Sequence, residues 1–203
     1  TLASGTATPI PYVRADWFAF TASQPPLYDV LLQLPNTFQQ LAREQGVDVE
    51  GNIRNFVAQR AAFQRSGVSQ TSYDFAGNRD RQSLFDFPLG PNGPNAFHHD
   101  GGETIFSLPN GFQAYYLNTA KGDRIDKGPT AIVRDPSRKD FSVTNGISCM
   151  GCHDQGMRKA KDDVRELVLK GRVFPKDVRD AVEELYPPHD KMDALIEDDA
   201  KRF

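Results

Sequence analysis

The sequence predicts an α+β fold, a mainly helical single domain with a central antiparallel β-hairpin or meander. Three observations carry that expectation. Apolar residues recur at helical spacing before residue 71 and again from Val164 onward. Two short extended runs around Glu103 and Phe112 flank a Pro-Asn-Gly turn, the signature of a hairpin. The helical and extended patterns are segregated rather than alternating, which argues against βαβ units. A length of 203 residues suits one core. The expected divisions are a helical part over 1–71, a loop and hairpin over 72–135, and a C-terminal helical part over 136–203.

Arg14 to Phe18 holds the only Trp, read as a core anchor beneath the first helices. Leu27 to Leu34 follows Pro25-Pro26, a composition suited to a first helical turn. A second helix is expected from Asn36, with Gln39 at the capping-box position, to a stop at Gly46. Ile53, Phe56, Val57 and Arg60, with Phe63 nearby, mark a third that Gly67 ends. Residues 72–102 are punctuated by Gly, Pro, Asn and Asp and read as a long structured loop. Glu103 to Leu108 and Phe112 to Asn118 then form the hairpin, and Arg124 to Asp126 suggests a third strand. Three further helices carry Val164, Leu167 and Val168; Val178, Ala181, Val182 and Leu185; and Met192, Leu195 and Ile196, separated by Pro175 and Pro187-Pro188.

Composition excludes some functions. A net charge of -3 and a pI near 5.8 give no general basic field, so nucleic acid is not an expected partner. No apolar run approaches the roughly 20 residues that cross a bilayer. The chain opens on Thr1 without a charged segment leading into an apolar one, so any export signal is expected to lie outside these residues.

The strong signal is Cys149-Met150-Gly151-Cys152-His153, the C-x-x-C-H pattern of covalent haem attachment. Two thiols three residues apart on a helical turn can each add to one haem vinyl group, and the next residue places an imidazole beneath the iron. With two Cys and four His in the chain, shuffling creates this pentapeptide only roughly once in five thousand tries. The competing readings are poorer. A thioredoxin-like pair would follow a strand, whereas Val143 to Gly146 reads as a turn, and a zinc site would need a fourth ligand. The expected cofactor is one covalently bound haem c, held by Cys149, Cys152 and His153. Thioether formation outside the bacterial cytoplasmic membrane implies a periplasmic or extracellular location, including the cell surface.

The sixth iron position separates carrier from catalyst. Met157 follows His153 by four residues, so on a continuing helix both leave the same, proximal face. His98 and His99 adjoin Asp100, Gly101, Gly102 and Glu103. In extended chain only one of the pair can face the iron, and His99 is favoured because Asp100 could orient its imidazole. His189 and Met192 read as helix-start and core residues. Glu103 could serve as a distal acid-base group in an open site. The cations from Arg158 to Arg179 are interspersed with acids, which suits a solvated helix face.

The chain also resembles a family of secreted single-haem c-type cytochromes of unassigned role. The likeness rests on RADWF (Arg14 to Phe18), PPLY (Pro25 to Tyr28), SGVS (Ser66 to Ser69), SYDF (Ser72 to Phe75) and PLGP (Pro88 to Pro91). It continues through HDGGE (His99 to Glu103), LPNG (Leu108 to Gly111), AYYL (Ala114 to Leu117), IVRD (Ile132 to Asp135) and Asn145 to His153. Relatives carry a longer stretch between SGVS and SYDF, where this chain has only Gln70-Thr71. The resemblance implies a single-haem secreted protein and adds nothing on substrate.

The leading expectation is therefore a monohaem cytochrome relaying single electrons between redox partner proteins, an electron carrier rather than an enzyme. Two alternatives stay open: a peroxidase-like enzyme or gas sensor with an open distal site lined by His98, His99 and Glu103, and a structural subunit of a larger redox complex.

Overall fold

A computed structural model describes residues 4–5, 7, 12–47, 69–74, 82, 84–90, 96–159 and 161–203. In chain order its elements are α1 (Ala15–Ala22), α2 (Leu27–Leu31), α3 (Phe38–Glu44), β1 (Ser69–Asp74), β2 (Gly101–Ser107), β3 (Gln113–Thr119), α4 (Ile147–Cys152), α5 (Asp163–Lys170), α6 (Lys176–Leu185) and α7 (His189–Ala200). This is the expected α+β architecture. The helix expected over Ile53 to Phe63 lies outside the described residues.

The sheet is a three-stranded antiparallel meander in the order β1-β2-β3. Its hairpin turns where the sequence places it: Gly111, at φ 93, lets its N–H reach the Leu108 carbonyl at 3.0 Å. Two details differ. The third strand is β1, which straddles the expected boundary between the helical part ending at 71 and the loop from 72, and it pairs Thr71 with Thr104 and Asp74 with Gly101. Arg124 to Asp126 makes only an isolated bridge from Arg124 to Asn118, with the Ile125 N–H on the Leu117 carbonyl at 3.0 Å. Short polar residues such as Ser69, Gln70 and Ser72 carry little β-propensity, so pairing rather than local preference makes β1 a strand.

The principal core gathers Tyr28, Leu34, Leu41, Phe106, Ala114, Tyr115 and Tyr116. It is completed by hydrogen bonds from inside. The Tyr28 hydroxyl accepts the Tyr115 N–H at 2.8 Å, and the Tyr116 hydroxyl donates to the Pro35 carbonyl at 3.1 Å. Tyr28 thereby satisfies a backbone donor on the outer edge of β3 that no further strand reaches. Helix α2 stops at Leu31, short of the expected Leu34, where Gln33 takes a positive φ of 53. Helix α3 is capped by Thr37, whose side chain accepts the Gln40 N–H, so its start falls one residue after the expected Asn36, with Gln40 rather than Gln39 on the third helical position.

Trp17 is not the expected core anchor. It is 58% exposed, and α1 buries none of its residues. Among the described residues Arg138 grips the end of this helix, donating to Gln24 Oε1 at 3.1 Å and lying over the Phe20 ring at 5.9 Å. The C-terminal helices behave as their periodicity requires. Val164 and Val168 of α5 meet Val182 of α6 in a second core, and Leu167 is left outside. Arg165 links the pair by donating to the Glu183 carbonyl at 2.9 Å and the Tyr186 carbonyl at 2.5 Å, which satisfies the open end of α6. Helix α7 is moored to the sheet through buried Asp199, which accepts from Ser107 Oγ at 3.1 Å and Gln113 Nε2 at 2.9 Å.

Tyr28→Phe keeps the ring and strands the buried Tyr115 N–H. The expected cost is about 1–3 kcal/mol of unfolding free energy, read from denaturant midpoints at unchanged slope.

Candidate functional site

The C-x-x-C-H segment occupies α4 and the turn that ends it. The helix begins where Gly146 adopts φ 81. A side chain there would place Cβ 2.4 Å from the Ser23 carbonyl and 3.1 Å from the Tyr28 ring, so only glycine lets the chain enter at this point. Thr144 and Ser148 then close the first turn reciprocally. The Thr144 N–H donates to Ser148 Oγ at 3.0 Å, and the Ser148 N–H donates to the Thr144 carbonyl at 3.1 Å.

Spacing of three on this turn gives the two thiols different surroundings. Cys149 packs against the principal core, whereas Cys152 is exposed; both are free thiols. Burial, with a smaller contribution from the Glu103 carboxylate, pushes the Cys149 thiol up to about 12. Gly151 has open space where a side chain would project.

His153 caps the helix, its N–H donating to the Cys149 carbonyl at 2.9 Å. Its Nδ1 lies 3.2 Å from the Gly156 carbonyl, and the Gly156 N–H returns a bond to the His153 carbonyl at 3.1 Å. With Nδ1–H given to that carbonyl, Nε2 is the nitrogen that carries a free lone pair. The Tyr115 ring, centroid 6.0 Å away and tilted by 43°, flanks the imidazole. Gly156, at φ 85, turns the chain, so the helix does not continue to Met157 as the four-residue spacing suggests. Met157 is instead buried after that turn.

The facing sheet contributes a polar line. Register puts Asp74, Glu103 and Tyr115 on one face of adjacent strands, since Asp74 opposes Gly101, Glu103 opposes both Ser72 and Leu117, and Tyr115 opposes Ile105. Burial raises Glu103, and Asp74 adds to the shift. Burial also raises Asp74, against the pull of His99. His99 is half-buried, with its ring edge-to-face to Tyr73 at 5.1 Å and to Phe97 at 5.9 Å. Burial lowers its pKa while Asp100 and Asp74 oppose the shift. His98 is exposed, its N–H donating to Gln82 Oε1 at 2.6 Å.

Cys149, Cys152 and His153 are thus brought together, with Glu103 and Tyr115 beside them. His99 stands at the far end of the carboxylate line, and its ring contacts among the described residues are with Tyr73 and Phe97. Tyr115, Tyr28 and the Gly156 carbonyl escaped sequence reading. Alternation in Ala114 to Leu117, once the hairpin turn is fixed, was the signal for Tyr115; nothing local marks Tyr28. Of the downstream cations, Lys161, Lys170 and Lys176 are each paired with an acid of their own neighbourhood, as a solvated face requires, and Lys159 pairs with Glu197 of α7. His189 opens α7 exposed, 3.5 Å from Asp193.

Among the described residues no three His, Cys, Asp or Glu side chains gather as a protein-only metal cluster, and no helix is long and apolar enough to cross a membrane. No family model, curated protein or solved structure matches the chain.

The asymmetry of the thiols is measurable. In haem-free folded protein at pH 8, iodoacetamide is expected to modify Cys152 and spare Cys149, and in guanidinium both should react. Because the folded Cys149 pKa lies above its ordinary value of 9.0, its protonation supports the fold fully below about pH 9. That support should fade as pH rises toward about 12, which alkaline unfolding curves of wild type against Cys149→Ala would reveal.

Proposed function

We propose that the chain is a monohaem c-type cytochrome that carries single electrons outside the cytoplasm. The observation that supports this best is the turn from Cys149 to Gly156, on which two cysteines flank a helical turn and the next imidazole is oriented through Nδ1. The residues present fit a haem. Thiols three apart suit two vinyl groups, Gly151 leaves room for the ring, and His153 Nε2 is free for iron. Haem bound there supplies an Fe(III)/Fe(II) couple.

Each protein group then has a physical task. Cys149 and Cys152 fix position covalently. The Gly156 carbonyl holds the His153 tautomer and makes Nε2 more basic. Tyr115 limits rotation of the imidazole and keeps water from one side of it. The Glu103 and Asp74 carboxylates disfavour removal of positive charge from their surroundings and so lower the reduction potential. A thioredoxin-like dithiol fits less well, because there the first cysteine is the exposed, acidic one, and here Cys149 is buried with its pKa raised.

For a second iron ligand we retain His99. Burial favours its neutral form, as ligation requires, and Asp74 and Asp100 lie where they can orient it. The peroxidase-like or gas-sensing alternative draws on the same line of His99, Asp74 and Glu103, which could move protons were the position open. Covalent attachment implies maturation in the periplasm or at the cell surface, with redox proteins as partners; a place within a larger redox complex fits the same site.

Optical spectra of exported protein decide between these. The expected result is haem retained in acid-acetone and a low-spin reduced spectrum unmoved by CO, which His99→Ala converts to a CO-binding form. Loss of all haem on acid extraction would reject the proposal, and prompt CO binding by wild type would transfer the reading to the open-site alternative.

A further inference from the structure

Buried polar groups collect at the entry to α4. Asn145, immediately before the entry glycine, is 0% exposed, and its Oδ1 has no hydrogen-bond partner. Asp29 of α2 is 7% exposed. Its Oδ2 lies 3.6 Å from Arg124 Nη2, while Oδ1 has no partner. The neighbouring Thr144 Oγ1 is likewise buried and unpartnered. Asp126 is held alongside by its carbonyl, which accepts the Asn145 N–H at 2.9 Å.

These groups face one another. Burial raises the Asp29 pKa, Arg124 opposes the shift, the Asp126 carboxylate adds to it, and a hydrogen bond from the Asn145 amide lowers it. The unpartnered Asn145 and Asp29 Oδ1 atoms are costly to bury, so the native state must supply a partner. Arg124 is itself committed, with Nη1 on the Leu34 carbonyl at 2.6 Å, and it balances only one of the two carboxylates. The residual charge is negative, and the unpartnered atoms are mainly oxygens.

We propose that Asp29, Asp126 and the Asn145 side-chain oxygen form a binding site for a hard divalent cation of calcium size. Carboxylate and amide oxygens from three separate segments give an irregular donor set, which calcium tolerates and magnesium does not. An open cleft of about 380 Å³, lined by Asp29, Asn36 and Arg124 among others, reaches Asp29 from the surface. The cation would tie α2, the chain after β3 and the entry to α4 together. The site is separate from the cysteines and does not depend on the haem reading.

Titration of the purified full chain with CaCl2 by calorimetry, paired with thermal midpoints in Ca2+, Mg2+ and EDTA, tests it. One calcium per chain is expected, with a rise of several degrees in Tm and at least tenfold preference over Mg2+. Asp126→Asn, at an exposed position, should weaken calcium at least tenfold, with its thermal response read against the variant's own midpoint in EDTA. Asn145→Asp should retain or strengthen the calcium response. Absence of heat and of any midpoint change up to about 5 mM Ca2+, beyond the weakest extracellular calcium modules, would overturn the proposal, as would an undiminished response in Asp126→Asn. Optical spectra and thiol labelling read neither outcome, so the two proposals fail independently.

Discussion

Tyr28 is the piece on which the arrangement turns. Its ring fills the space that Gly146 leaves at the mouth of α4, its hydroxyl holds the outer edge of β3 through Tyr115, and its body belongs to the core against which Cys149 packs. One side chain therefore fixes the helix bearing the cysteines relative to the strand bearing the ring beside His153. Burial raises the Tyr28 pKa, with the Asp29 and Cys149 charges adding to the shift, which keeps the phenol neutral and able to serve as the acceptor.

That geometry accounts for the unequal cysteines. Residues three apart leave a helix within about 60° of each other, so both thiols share one side of α4; Cys149 in its middle packs on the core, and Cys152, its last residue, lies at the exposed rim. The inner thiol is the poorer nucleophile and the outer the accessible one. Any reagent must reach Cys149 through an opening of the core around Tyr28, whereas Cys152 is reached in the folded state.

Much of the architecture is legible in the residues. Val164 and Val168 against Val182 follow from period, the hairpin from Pro109-Asn110-Gly111, and the cysteine turn from its own spelling. What is not legible comes from long-range pairing. Ser69 to Asp74 becomes a strand because β2 offers it a ladder, and Trp17 stays exposed on a helix that buries none of its residues. Met157 is buried after the Gly156 turn rather than on a continuation of α4. Local sequence encodes propensity and period, and these three outcomes depend on partners remote in the chain.

The turn after the cysteines is also walled by Phe203, just beyond α7. The Phe203 ring lies 3.5 Å from where a Gly156 side chain would begin and is edge-to-face with Phe112 at 6.0 Å, while Gln113 reaches from β3 to both Gly156 and Asp199. The imidazole's carbonyl partner is therefore enclosed by groups from the hairpin and from α7 rather than by its own helix. Opening of α7 therefore exposes the His153 turn to solvent, and the two should exchange their amide protons as one cooperative unit.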